Sequence, residues 1–104
     1  MEISFSNKKL QKLCEDHNKL KAKYGALQAR RIIRRINELQ AAANLHDISQ
    51  LPQARLHSLT GDRKGQFAVD ILHPYRIILL PLDGDTADLR TIQVVEIVSI
   101  IDYH

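Results

Sequence analysis

The sequence holds one cysteine, Cys14, in 104 residues, so no internal disulfide can form. A chain without disulfides suits a reducing compartment, and the expected location is the cytoplasm. Long apolar runs are missing too. The longest, Ile97–Ile101 with its neighbours, is interrupted by Glu96 and Ser99 and falls short of the roughly 20 residues of a membrane span. The first residues, Glu2-Ile3-Ser4-Phe5, alternate like a strand. They lack the basic start and apolar run of a secretion signal, so none is expected. Several compact motifs are absent as well. No GxxxxGK[ST] loop is present to cradle a phosphate, and Thr60-Gly61-Asp62 resembles only a turn. No His-x-x-x-His or Cys-x-x-Cys spacing organises His57, His73, His104, Asp62 and Asp102 into a metal site. Ser58 and Ser99 lack a glycine-flanked elbow, and Cys14 lies on an apolar helix stripe, as a core cysteine does. Neither a metal nor a cofactor is expected.

What is present is ordinary in amount and uneven in placement. The chain is 44% hydrophobic and 26% charged, with a formal net charge of +3, and its length fits one domain over residues 1–104. A surplus of +3 permits a polyanion partner without demanding one. Most basic residues fall in Lys8–Arg35 and Arg55–Arg76, whereas Asp83, Asp85 and Asp88 gather in one late loop.

The periodicity predicts a strand at Ile3–Phe5, then a helix from Lys8 to about Lys23 capped by Ser6 or Asn7. Leu10, Leu13, Cys14, His17 and Leu20 share one side of that helix. Tyr24-Gly25 breaks it. A second helix is predicted from Ala26 to Ala43, with Ala29, Ile32, Ile33, Ile36, Leu39 and Ala43 as its apolar stripe. Arg30, Arg31, Arg34 and Arg35 are assigned to the opposite side. They read as a solvated face, a nucleic-acid surface or a dock for an acidic protein. Asn44–Ala54 is a connector. Four strands follow: Arg55–Leu59, Phe67–Leu72, Tyr75–Leu82 and Ile92–Ile101. The last has a nearly continuous apolar run, which predicts a central strand covered on both faces. The fold class is therefore α+β: an N-terminal strand and two helices packed on a mostly antiparallel four- to five-stranded sheet, with the other sheet face partly open.

The densest chemistry lies in Ala54–Arg76, which carries two histidines, three arginines, a lysine and two aspartates. RNA cleavage needs only such residues, because the ribose 2′-OH is its own nucleophile. The protein must take that proton, offset charge on the phosphate and protonate the leaving 5′-oxygen. Histidine suits proton transfer near neutrality, and arginine suits the phosphate through its planar fork. Arg55, His57, Arg63, Arg76 and His104 supply these types. Arg76 carries extra weight, because a charge in a strand rich in Ile and Leu needs a partner or water.

Arg55-Leu56-His57-Ser58-Leu59-Thr60-Gly61-Asp62-Arg63-Lys64-Gly65-Gln66-Phe67 resembles the signature R-x-H-x-L-K-G-D-R-x-G-x-[WF] of HigB-type toxins. These belong to the RelE/ParE superfamily of bacterial type II toxin–antitoxin systems. Pro74-Tyr75-Arg76-Ile77 resembles the strand that follows it in the family, and Asp102-Tyr103-His104 resembles the family's terminal D-Y-H. The resemblance spans the chain and implies a RelE-like fold. It implies ribosome-dependent mRNA cleavage, held in check by a cognate helix-turn-helix antitoxin, with operator DNA bound only through that antitoxin. Carried over by position, it assigns catalysis to His57, Arg76, Asp102, Tyr103 and His104. It assigns RNA or phosphate contact to Arg55, Thr60, Arg63 and Lys64. The chain departs from the pattern at Thr60, where the family carries lysine. Losing a cation beside developing phosphate charge costs several kcal/mol in a dry site. The alternative is thus a non-catalytic module of the same fold, either inhibiting gyrase or acting as an antitoxin-bound corepressor.

Overall fold

The structure, a computed structural model, describes residues 1–102. The expected catalytic residues Tyr103 and His104 lie outside the described residues.

Strand β1 (Glu2–Phe5) leads into two short helices, α1 (Lys8–Cys14) and α2 (His17–Tyr24). The single helix expected here is broken at Glu15-Asp16. Asp16 leaves the helical conformation and its side chain caps α2, accepting from the Lys19 N–H at 3.2 Å. Asn7 caps α1 in the same way through the Leu10 N–H at 2.8 Å. Because of the break, His17 opens α2 in an exposed position rather than joining the apolar stripe.

Helix α3 (Ala26–Ala41) carries the core. Ala29, Ile32, Ile36 and Leu39 recur at helical spacing and are buried, and each large aliphatic side chain so buried contributes about 1.5–3 kcal/mol. Two polar residues share that buried side, Gln28 and Arg35. The burial of Arg35 corrects its assignment to the outer face. The expected connector contains a further helix, α4 (Leu45–Ser49), capped by Asn44 and burying Leu45 and Ile48.

The remaining strands are β2 (His57–Ser58), β3 (Phe67–Asp70), β4 (Tyr75–Pro81) and β5 (Val94–Asp102). They form one mixed five-stranded sheet with β1, in the order β1-β5-β4-β3-β2. Only β1 and β5 run parallel, Glu2 beside Val94 and Phe5 beside Ile97. The other three pairings are antiparallel. β2 is shorter than expected. Arg55 turns the chain into it with a left-handed backbone (φ 44°), and a 3-10 turn at Gly61–Arg63 follows it closely.

β5 is interior to the sheet, yet only one of its faces meets the helices. Val95 and Ile97 join the main core with Ile77, Leu79, Val69 and the residues of α3. The second face carries a smaller cluster of Leu59, Ala68 and Ile78 with Val98 and Ile101, to which, among the described residues, no helix contributes. The expectation of cover on both faces is corrected accordingly. A register shift between Ile78 and Leu79, where β4 meets β5, places Ser99 across from Ile78 and Ile101 across from Arg76.

The Cys14 thiol is half-buried beside the core. Burial, and secondarily the Glu15 carboxylate, push its pKa up to about 11, against about 8.5 for a free thiol. Since the thiolate is the nucleophile, native Cys14 should be alkylated slowly at neutral pH. The iodoacetamide rate should keep rising towards pH 11. A native-state plateau near the free-thiol value would show that the site is solvated. Among the described residues no helix is long and apolar enough to cross a membrane.

Candidate functional site

The sheet face away from the helices begins as a row across four strands: His57 on β2, Ala68 on β3, Ile78 on β4 and Ser99 on β5. The next row on the same face is Asp70, Arg76 and Ile101. Ala68 is the small residue between His57 and β4. Over it, Arg76 Nη1 reaches His57 Nε2 at 3.2 Å.

The partners of His57 define its protonation. A backbone carbonyl can only accept, so Nδ1 donates to the Arg55 carbonyl at 2.6 Å. A guanidinium can only donate, so Nε2 accepts from Arg76. That pattern corresponds to the Nδ1–H tautomer, with the Nε2 lone pair taken up by the Arg76 guanidinium. The left-handed conformation of Arg55 brings its carbonyl within reach of a ring two residues on.

Asp70 completes the group. Its Oδ1 lies 3.2 Å from Arg76 Nε, and its Oδ2 lies 3.5 Å from Arg55 Nε. The buried Oδ1 makes no hydrogen bond, so its contact with Arg76 is an attraction of charges without hydrogen-bond alignment. The Arg55 side chain is 73% exposed, and such a pair is worth at most about 1 kcal/mol. Arg76 is more shielded, at 24%.

Arg35 supports this arrangement from beneath. Its Nε donates to the Asp70 carbonyl at 2.8 Å and its Nη2 to the Gln53 carbonyl at 2.9 Å, while Nη1 meets Glu38 at 2.9 Å. One guanidinium thus ties α3 both to the end of β3 and to the segment entering β2. Gln28 does similar work one turn from the start of α3. Its amide donates to the Leu72 carbonyl at 3.0 Å and accepts from the Leu72 N–H at 2.9 Å, fixing the β3–β4 corner.

The structure therefore brings together His57, Arg76 and Arg55 of the expected residues, and adds Asp70 and Arg35. Others lie apart. His57 and Ser58 are adjacent on β2 and point to opposite sides. It is Ser58 that lines a cavity of about 450 Å³ with Thr60, Lys64, Gln66 and Thr86. Arg63 is half-buried in the 3-10 turn, its Nη1 donating to Gln66 Oε1 at 3.2 Å. Asp102 is the last residue of β5 and pairs with Tyr75, one position beyond the Ile101–Arg76 pair. Alternation along the strand assigns Asp102 to the Tyr75 side of the sheet, where Tyr75 meets Tyr24 edge to face at 5.8 Å. Among the described residues, no group of three or more histidine, cysteine, aspartate or glutamate side chains could hold a metal ion.

Two signals for the missed residues were present in the sequence. Asp70 precedes Arg76 across a corner marked by Pro74, the geometry of a cross-strand pair. Arg35 lies three residues after Ile32 and four before Leu39, a buried helical spacing. No protein-family model and no curated protein matches the chain. What is in hand is an α+β domain whose helix-free sheet face holds a histidine against an arginine–aspartate pair.

Proposed function

We propose that this protein is a RelE-like toxin of the HigB type, a ribosome-dependent mRNA endonuclease that acts by metal-free acid–base catalysis. The observation carrying this reading is the contact between His57 Nε2 and Arg76 Nη1 at 3.2 Å on the sheet face away from the helices. When the guanidinium turns to the phosphate, the Nε2 lone pair it releases can take the ribose 2′-OH proton. The adjacent guanidinium can follow charge developing on the phosphate, and Arg55 adds a second, exposed cation. The three motifs shared with the family add the target, mRNA on the ribosome in the cytoplasm, and the partner, a small helix-turn-helix antitoxin that suppresses cleavage.

Thr60 supports a second reading, a non-catalytic module of the same fold. It is exposed and uncharged where the family places a cation. The two are separated by primer extension on translated mRNA, with the chain as it stands and with Thr60→Lys. New 5′ ends at ribosome-occupied codons, raised by Thr60→Lys and suppressed by the antitoxin, are expected. No cut from either version, together with inhibition of gyrase supercoiling, would establish the non-catalytic reading.

A further inference from the structure

We propose that the cavity at the free edge of β2 is a guanine subsite, which holds a base of the RNA strand beside the nucleotide that meets His57 and Arg76. The inference rests on the reading of the chain as an RNA-cleaving protein and adds a base preference to it.

The cavity is set apart from the contact it would serve. Among the described residues that line it, none is His57, Asp70 or Arg76. β2 is the outermost strand of the sheet and only two residues long, so one RNA strand can pass round it from the His57 face to Ser58. The volume of about 450 Å³ lies within the roughly 300–1,000 Å³ of small-molecule sites. Leu59 and Phe67, both buried, supply the apolar part of the lining. Gly61 and Gly65 take positive φ angles of 64° and 91°, and a Cβ on either would meet nothing within 4 Å. A flat ring therefore has room to lie against the backbone there.

The polar groups select the ligand. Gln66 is fixed by its backbone, its N–H donating to the Arg63 carbonyl at 3.0 Å and its carbonyl accepting from the Leu59 N–H at 2.9 Å. A guanidinium can only donate, so the end of the Gln66 amide that meets Arg63 Nη1 at 3.2 Å is the oxygen. Its Nε2 amine remains as a donor. Glutamine reads adenine by donating to N7 and accepting from the N6 amine with one amide, and here Arg63 already engages the accepting end. Lys64 adds three donors and no acceptor. No aspartate or glutamate is among the described residues that line the cavity. Guanine presents two acceptors, O6 and N7, on the edge where adenine presents one acceptor and one donor. A donor-rich cavity with one cation therefore favours guanine. The hydroxyls of Ser58, Thr60 and Thr86 can serve the other polar atoms of the nucleotide.

Titration of the whole chain with guanosine 5′-monophosphate, adenosine 5′-monophosphate and inorganic phosphate, followed by proton–nitrogen NMR, tests the subsite without ribosomes. The guanosine nucleotide should shift the Gln66 side-chain amide and the Gly61 and Gly65 backbone amides. It should bind roughly fivefold more tightly than the adenosine nucleotide, the lower end of what one base-edge pair discriminates. Inorganic phosphate should leave the Gln66 amide in place. Gln66→Glu keeps an oxygen for Arg63 and removes the amine, so it should abolish the preference. Cut sites on ribosome-bound messages should be enriched in guanosine beside the scissile phosphate, and Gln66→Glu should reduce that enrichment.

Equal affinity of the parent chain for the two nucleotides overturns the proposal. Shifts confined to His57 and its neighbours, equal shifts with inorganic phosphate, or no binding also overturn it. These outcomes need no variant, so they decide the question even where Gln66→Glu does not fold. A chain that selects guanosine at Gln66 yet cuts no message keeps the subsite and loses the nuclease reading. One that cuts messages without selecting guanosine keeps the nuclease reading and loses the subsite.

Discussion

Arg35→Ala should lower the unfolding free energy by about 3–5 kcal/mol, the range for breaking a buried charge network by removing one partner. Arg35 is 3% exposed and donates to the Asp70 and Gln53 carbonyls as well as to Glu38. Alanine removes the donors to both carbonyls, leaves Glu38 without its near partner and opens a void under β3. Domains of this size hold only about 5–15 kcal/mol in total, so the melting temperature should fall by about 15 °C or more. Arg34 is the control. It lies one residue away, its side chain is 62% exposed, and it meets Glu38 only at 3.9 Å. Arg34→Ala should change stability by about 0.5 kcal/mol or less. Arg35→Lys should recover little, since an ammonium cannot span three acceptors as a planar fork does. Urea unfolding followed by circular dichroism reads all three, and equal losses for Arg34 and Arg35 would contradict the strut.

His57→Ala and Arg76→Ala should each reduce ribosome-dependent cleavage by about 1,000-fold, within the span attributed to a positioned general base or a charge-stabilising donor. His57 is half-buried and the Arg76 side chain is 24% exposed beside a buried Asp70 oxygen, so His57→Ala should cost about 1 kcal/mol and Arg76→Ala about 1–3 kcal/mol. The double variant should be little worse than either single one, because the two groups act through one contact. Cleavage at the parental rate by folded His57→Ala would place the base elsewhere in the molecule.

The two predictions differ in how far the sequence could announce them. Helix α3 was legible because Ala29, Ile32, Ile36 and Leu39 repeat at 3.6 residues, and the break before it because Gly25 follows Tyr24. Arg35 was misread since its residue type outweighed its spacing, and four arginines in six positions look like one solvated face. The split of α1 from α2 turned on Asp16, a capping residue inside an otherwise helical run. His57 and Arg76 were legible as reactive types at alternating strand positions. Their meeting was not, since it depends on the β2–β3–β4 register and on Ala68 being small. The neighbours of Arg76 on β5 were hidden for another reason. The shift between Ile78 and Leu79 breaks the simple alternation that a sequence pattern can follow. The parallel pairing of β1 with β5 leaves no local mark at all.

That parallel pairing has a consequence for how the protein comes into being. Ser6, just beyond β1, donates through Oγ to the Val98 carbonyl, 92 positions along the chain. In folding, β1 must therefore wait for a partner strand at the other end of the sheet's sequence order. Local pieces such as the β3–β4 hairpin can close early, but β4 lacks its inner flank until β5 arrives. Contacts that span nearly the whole chain are the slowest to form. Pairing of β1 with β5 should therefore close the sheet after the β3–β4 hairpin has formed.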